Sequence, residues 1–402
     1  MKKILLFLFI ATSLQTFADT TGYYLWVQKA EFPPIARHRA IGFSIGDKGY
    51  MGLGHVNAGG VNIAYPDFWE YDKSTNSWSQ KADFGGGTRF GAVGFSIGTK
   101  GYAGTGTSAS YVDFNDLWEY NPASNTWIQK SPMPGVARDG ATGFSINGKG
   151  YLGLGYYNDW YEFDPQTNSW LVKAPYPAAV PFYSASFVID TVGYVCTGEY
   201  TFPSQLMAYH PSTDSWLPRA FFPGGARFGA MGFSVNRKGF VGLGCTYGYA
   251  DFKDFYEYDP VTNSWDSLPD FPGSRRHYVI GFNMGNKGYC GTGTNGTNLK
   301  DFWEFYCYIP TIDTTVIDFI GEFNSKNAVK IFPNPILNDA TIQVSISPAD
   351  FSLFDISGKK VFEKKNIPDN YLFERKNLLS GVYMFSVSVH GNKIQTGKII
   401  LL

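Results

Sequence analysis

Short apolar runs broken by glycine alternate with polar turns along most of this chain, and the pattern returns at a regular interval. From Ala40 to Ile45 the run is punctuated by Gly42 and Ser44, which predicts a short strand crowded by its neighbours. Asp47-Lys48 makes a tight turn, and the third copy has Asn147-Gly148 there, a pair suited to a two-residue hairpin. Gly49 to Gly54 predicts a second strand. Asp67 to Asp72 predicts a third, with Phe68 and Glu70 on one face and Trp69 and Tyr71 on the other. The turn Lys73 to Ser77 follows, and later copies preset it with Pro122, Pro165, Pro211 and Pro260. Trp78 opens a fourth strand.

The word that begins at Gly42 recurs at Gly94, Gly143, Gly232 and Gly281, with Ser186 holding the place in the fourth copy, in steps of 52, 49, 43, 46 and 49 residues. Such a period in a strand-like pattern signals a propeller or solenoid. A four-stranded unit of this size cannot bury both faces alone, and stacking the units in a ring solves this. Tyr71, Tyr120, Phe163, Tyr209 and Tyr258 each precede a tryptophan by seven residues: Trp78, Trp127, Trp170, Trp216 and Trp265. Their strict repetition reads as packing between units rather than as sugar-stacking platforms. The sixth copy, Val279 to Phe305, has three strands and no following tryptophan, while Trp26 to Lys29 before the first copy looks like a fourth strand alone. The two ends therefore join, giving six blades.

The Tyr/Phe-to-Trp spacing resembles the kelch motif of kelch propellers and of the galactose oxidase propeller, over about Tyr24 to Pro310. The departure is a G-x-G, as in Gly52 and Gly54, where kelch strands usually end in a double glycine. The expected fold is thus all-β: a six-bladed kelch-type propeller of four-stranded antiparallel blades, followed by a small β-sandwich.

Composition changes the picture in two ways. The formal net charge of −1 leaves no electrostatic footprint for nucleic acid. The start is basic at Lys2 and Lys3, apolar from Ile4 to Ile10, and flanked by Thr16 and Ala18, which reads as a signal peptide over residues 1–18. That run is too short to span a bilayer, and no transmembrane segment is expected. No cysteine follows it closely, so a lipoprotein is not expected. Cys196, Cys245, Cys290 and Cys307 form no C-x-x-C pair; buried thiols are favoured over a Cys290–Cys307 bridge.

Beyond the propeller (residues 19–309) and a polar linker (310–325), residues 326–402 alternate short strands with Pro, Asn and Gly turns. Pro333-Asn334-Pro335, the turn Asp355 to Gly358, Gly381-Val382-Tyr383 and the last strand Lys398 to Leu402 resemble the C-terminal sorting domain of type IX secretion substrates, type A. The resemblance implies passage through the periplasm by the type IX machinery. Removal of the tail would then leave the protein released or attached at the cell surface. A monomer is expected.

Variable loops on a rigid scaffold are where binding residues sit. Here they follow the G-x-G words: His55 to Pro66, Thr107 to Asn115, Tyr156 to Asn158, Glu199 to Ser204, Cys245 to Lys253 and Thr294 to Lys300. They bring His55, Tyr111, Tyr157 and Tyr247 to one rim. Arg37, Arg89, Arg138, Arg227 and Arg276 each stand five residues before a glycine-phenylalanine word, either as a clamp for acidic ligands or as an ion pair in each blade. In the fourth copy Pro181, Gln205 and Ala208 replace the arginine and both carboxylates together, which favours the ion pair. Arg89 would then meet Asp116 or Glu119. The next residues vary, as a ligand site on a repeat would: His38, Phe90, Asp139, Phe182, Phe228 and His277.

No cofactor is required by this pattern. His38, His55 and His277 are the candidates should copper or zinc be held. A surface module binding glycan or protein is the leading function. The alternative is a carbohydrate-active enzyme, galactose oxidase-like or resembling the sialic acid mutarotases, with Glu199 as candidate acid/base; the Tyr–Cys cross-link and copper ligands of galactose oxidase have no placed counterparts.

Overall fold

The computed structural model describes residues 23–58, 61–179, 181–198, 204–308, 329–334, 336–345, 347–355, 358–389 and 392–401. The signal peptide, the linker and Glu199 lie outside them. The chain divides into two compact units, Met1–Pro310 and Thr311–Leu402.

The first unit is a six-bladed propeller of antiparallel four-stranded sheets. Blade one runs outward through Ile41–Ile45, Lys48–Gly52, Phe68–Asp72 and Ser77–Lys81. The inner strands of the others are Val93–Ile97, Thr142–Ile146, Ala185–Ile189, Met231–Val235 and Ile280–Met284, each beside the next, with the sixth returning to the first. As the sequence predicts, the outer strand of blade six is Tyr23–Lys29, with Trp26 opposite Phe305 and Lys29 opposite Phe302. The Trp26 ring packs edge-on against Phe271 and Phe255 of blade five.

No single core exists in this unit; six cores fill the seams between blades. Phe68 faces the seam to blade two and Tyr71 the seam to blade six, so one strand feeds two cores. That is why both are fully buried, though strand alternation puts them on opposite faces. Each tryptophan of the outer strands reaches back across a seam: Trp78 Nε1 donates to the Ala30 carbonyl at 2.9 Å and Trp127 Nε1 to the Ala82 carbonyl at 3.1 Å. These contacts place the tryptophans in inter-blade packing. Burying each such ring contributes on the order of 2 kcal/mol.

The glycine of the repeated word has a local cause. A Cβ on Gly232 would lie 2.7 Å from the Ser186 carbonyl oxygen of blade four, so two inner strands approach too closely for a side chain there.

The second unit is a small sandwich. Val329–Phe332, Asp339–Val344 and Asn370–Glu374 form one sheet; Lys360–Ile367, Ala349–Phe354, Gly381–Val389 and Asn392–Leu401 form the other. Ile342, Phe351, Leu353, Phe373, Val387 and Ile399 fill its core.

Candidate functional site

The five repeated arginines are 0–2% exposed and face the blade, not the axial mouth. Arg89 donates to both carboxylate oxygens of Asp116, at 2.6 and 3.0 Å, and to the Thr105 carbonyl at 3.0 Å. Arg37, Arg138, Arg227 and Arg276 do the same with Asp67, Asp159, Asp254 and Asp301. Each also bonds the carbonyl of the middle residue of a G-x-G word, here Leu53, Leu154, Leu243 and Thr292. That residue is left-handed in every blade, with φ of 57° at Leu53 and Thr105. The arginine thus secures a strained turn, and its charge is already matched.

Two residues after each arginine the backbone is left-handed again, and five backbone bonds link these positions round the axis. Gly91 N–H donates to the Arg39 carbonyl, Gly140 to Gly91, Tyr183 to Gly140, Gly229 to Tyr183 and Arg39 to Tyr278. Blades two, three and five use Gly91, Gly140 and Gly229 there, as this φ favours. Blades one, four and six carry Arg39, Tyr183 and Tyr278, with φ of 54°, 52° and 53°. Three large side chains therefore gather at the centre of the ring at a conformational cost. Sequence reasoning missed them, although their register, two residues after the arginine or after Pro181, could have found them.

Arg39 Nη2 donates to the Tyr278 hydroxyl at 2.6 Å, and its guanidinium carbon lies 4.0 Å from that ring's centroid and 4.9 Å from that of Tyr183. Among the described residues no carboxylate lies within ion-pair distance of Arg39. The Tyr183 hydroxyl donates to Asp139 at 2.7 Å. Burial pushes the Asp139 carboxyl up from its ordinary value, against the opposing pulls of Tyr183 and Arg39.

The residue after each G-x-G word sits beside the residue after the next blade's arginine, because a backbone bond couples the two: Gly54 N–H to the Arg89 carbonyl, Gly106 to Arg138, Gly155 to Pro181, Gly198 to Arg227, Gly244 to Arg276 and Gly293 to Arg37. His55 accordingly stacks on Phe90 at 3.7 Å and Tyr156 on Phe182 at 3.8 Å. Phe228 packs with Cys245 and Tyr278.

The three histidines are divided by this rule. His38 and His55 have ring centroids 4.2 Å apart, with Nδ1–H donating to Asn298 at 2.8 Å and to Asn62 at 2.7 Å. Burial, with repulsion from His55 at His38 and from Arg39 at both, lowers them to about 3 and about 4, so both are neutral. His277 instead sets Nδ1 2.6 Å from Asp251 Oδ1. Among the described residues the metal-capable atoms that converge are those of Cys245, Asp251 and His277, rather than three imidazoles. Cys196, Cys245 and Cys290 are buried and outside any disulfide.

Around this centre the loops raise exposed rings: Tyr111 at 70%, Tyr247 at 73% and Tyr249 at 63% exposure. Tyr157 is less exposed and covers Arg138, its ring centroid 4.4 Å from the guanidinium.

Comparison with known proteins bears on the two units separately. No curated protein matches the chain. A solved structure described as "Structure of YjhT" is similar with a TM-score of 0.58 and 18% identity, covering 68% of this chain and 95% of that one. At that identity the likeness speaks for the propeller fold alone. The family described as the secretion system C-terminal sorting domain matches residues 330–402. The protein is therefore exported by type IX secretion, to the cell surface or the medium.

Proposed function

We propose that the exported chain is a kelch-type binding module whose axial mouth takes an acidic ligand, a glycan carboxylate or an acidic protein loop. The observation that carries this reading is Arg39. Five other arginines around the ring are buried against their own aspartates, whereas Arg39 stands at the mouth between the faces of Tyr278 and Tyr183, with no ion-pair partner among the described residues. A guanidinium held by rings, with one donor on the Tyr278 hydroxyl, keeps its remaining donors for a planar anion. The tyrosine rim supplies faces for a sugar ring or a peptide backbone.

A glycan array carrying uronic and sialic acids beside neutral sugars tests this. Acidic glycans should bind and Arg39→Ala should lose them; equal binding of neutral glycans, or no change in Arg39→Ala, overturns the acidic-glycan reading. Asp139 favours a second reading, a sugar epimerase of the mutarotase kind. Its carboxyl, raised by burial and bonded to Tyr183, has the environment of a general acid. Accelerated anomer exchange of a reducing acidic sugar, lost in Asp139→Asn, would decide for it.

A further inference from the structure

We propose that Cys245, Asp251 and His277 bind one divalent cation of the zinc class at the seam between blades five and six, independently of the ligand at Arg39. Donor atoms of all three lie within 4.8 Å of one another. Cys245 is fully buried, and the His277 and Asp251 side chains are 7% and 9% exposed.

The fold fixes these donors from two blades. Cys245 and Asp251 face each other across a small antiparallel loop. Thr246 N–H closes the loop on the Ala250 carbonyl at 3.1 Å, and Ala250 N–H donates to Thr246 Oγ1 at 3.2 Å. Gly244 N–H donates to the Arg276 carbonyl at 2.8 Å, which sets Cys245 beside His277. The same bond recurs at every seam, so the other seams serve as internal controls. They place His55 beside Phe90, Thr107 beside Asp139, Tyr156 beside Phe182 and Thr294 beside His38. None of these described pairs joins a thiol to an imidazole. Among the described residues a third donor from the loop, Asp251, completes such a set at this seam alone.

Sulfur, nitrogen and oxygen together suit zinc, which accepts all three and takes three protein ligands when a fourth position stays open. Binding would expel the Cys245 thiol proton to solvent and leave a thiolate on the metal. The hydrogen bond between His277 and Asp251, now 2.6 Å, would open to about 3.3 Å as both atoms turned onto one tetrahedral ion. The fourth position is free for water or an oxygen of a bound ligand.

The purified full-length chain is stripped with chelator and titrated with zinc by calorimetry and with cobalt by absorption. One equivalent should bind, and cobalt should give the near-ultraviolet thiolate charge-transfer band. Cys245→Ser should abolish that band, and His277→Gln and Asp251→Asn should weaken zinc binding by about tenfold or more. His38→Gln and His55→Gln should leave binding unchanged. No metal uptake by the wild-type chain overturns the proposal, whether or not the variants fold. So does uptake that persists in Cys245→Ser, or that is lost in His38→Gln while Asp251→Asn retains it.

Discussion

Arg39 Nη2 donates to the Tyr278 hydroxyl at 2.6 Å, and both residues hold a left-handed backbone where three other blades carry glycine. Function and local stability therefore pull in opposite directions at residue 39. Arg39→Gly removes the strain of an arginine at φ 54°, worth about 1 kcal/mol, and removes a cation–π contact of similar size. Its unfolding free energy should stay within about 1 kcal/mol of wild type. Binding to an acidic glycan should fall at least tenfold. A variant that unfolds readily would show that Arg39 holds the ring rather than the ligand.

Arg89 is the opposite case. Its guanidinium satisfies Asp116, the Thr105 carbonyl and the Gly86 carbonyl, and it lies 4.0 Å from the Phe114 ring centroid. Arg89→Met keeps much of the packing but strands a mostly buried carboxylate, at a cost of about 3 kcal/mol. Denaturant unfolding should show a lower midpoint, while acidic-glycan binding below the transition stays unchanged. An unaltered midpoint would mean that the pair contributes nothing net.

The repeat made most of the propeller legible, because its determinants lie within one unit. The seven-residue step from Tyr71 to Trp78, the simultaneous loss at Pro181, Gln205 and Ala208, and the orphan strand at Trp26 each need only one blade or the two chain ends to be read. The mouth was harder, because its contacts run between units. His38 and His277 occupy equivalent positions, yet their side-chain hydrogen-bond partners come from the preceding blade, Asn298 for one and Asp251 for the other. Equivalent residues of a ring point at the same axis but do not share partners. Arg39, Tyr183 and Tyr278 are harder to see because glycine holds their register in only three of the six copies, and the left-handed backbone is what makes the departure meaningful.

The tail gives a prediction about address. Its core of Ile342, Phe351, Leu353 and Ile399 is its own, and residues 330–402 match the sorting domain family. A chain ending before Lys326 should retain the propeller and accumulate in the periplasm, as cell fractionation would show. Normal appearance of that truncated chain at the surface or in the medium would contradict its dependence on the sorting domain.

The pair His38 and His55 makes stability depend on acid. Burial is the first cause of both lowered values, to about 3 and about 4, with Arg39 repelling both, and His55 and His277 repelling His38. Asn298 and Asn62 oppose the shift by bonding Nδ1. Unfolded, both imidazoles return to about 6.5. The unfolded chain therefore binds more protons than the folded one at any pH between those limits. The stability from keeping the rings neutral is complete above about pH 7. It falls as pH drops below about 6.5, by up to about 1.4 kcal/mol per pH unit for each ring. The loss from His55 levels off near pH 4 and that from His38 near pH 3. Melting temperatures measured from pH 8 to pH 4 should be flat and then fall. His38→Gln and His55→Gln should each reduce the steepness of that fall, whatever they do to stability at pH 8. Equal slopes in wild type and the double variant would show that carboxylates elsewhere set the acid limit.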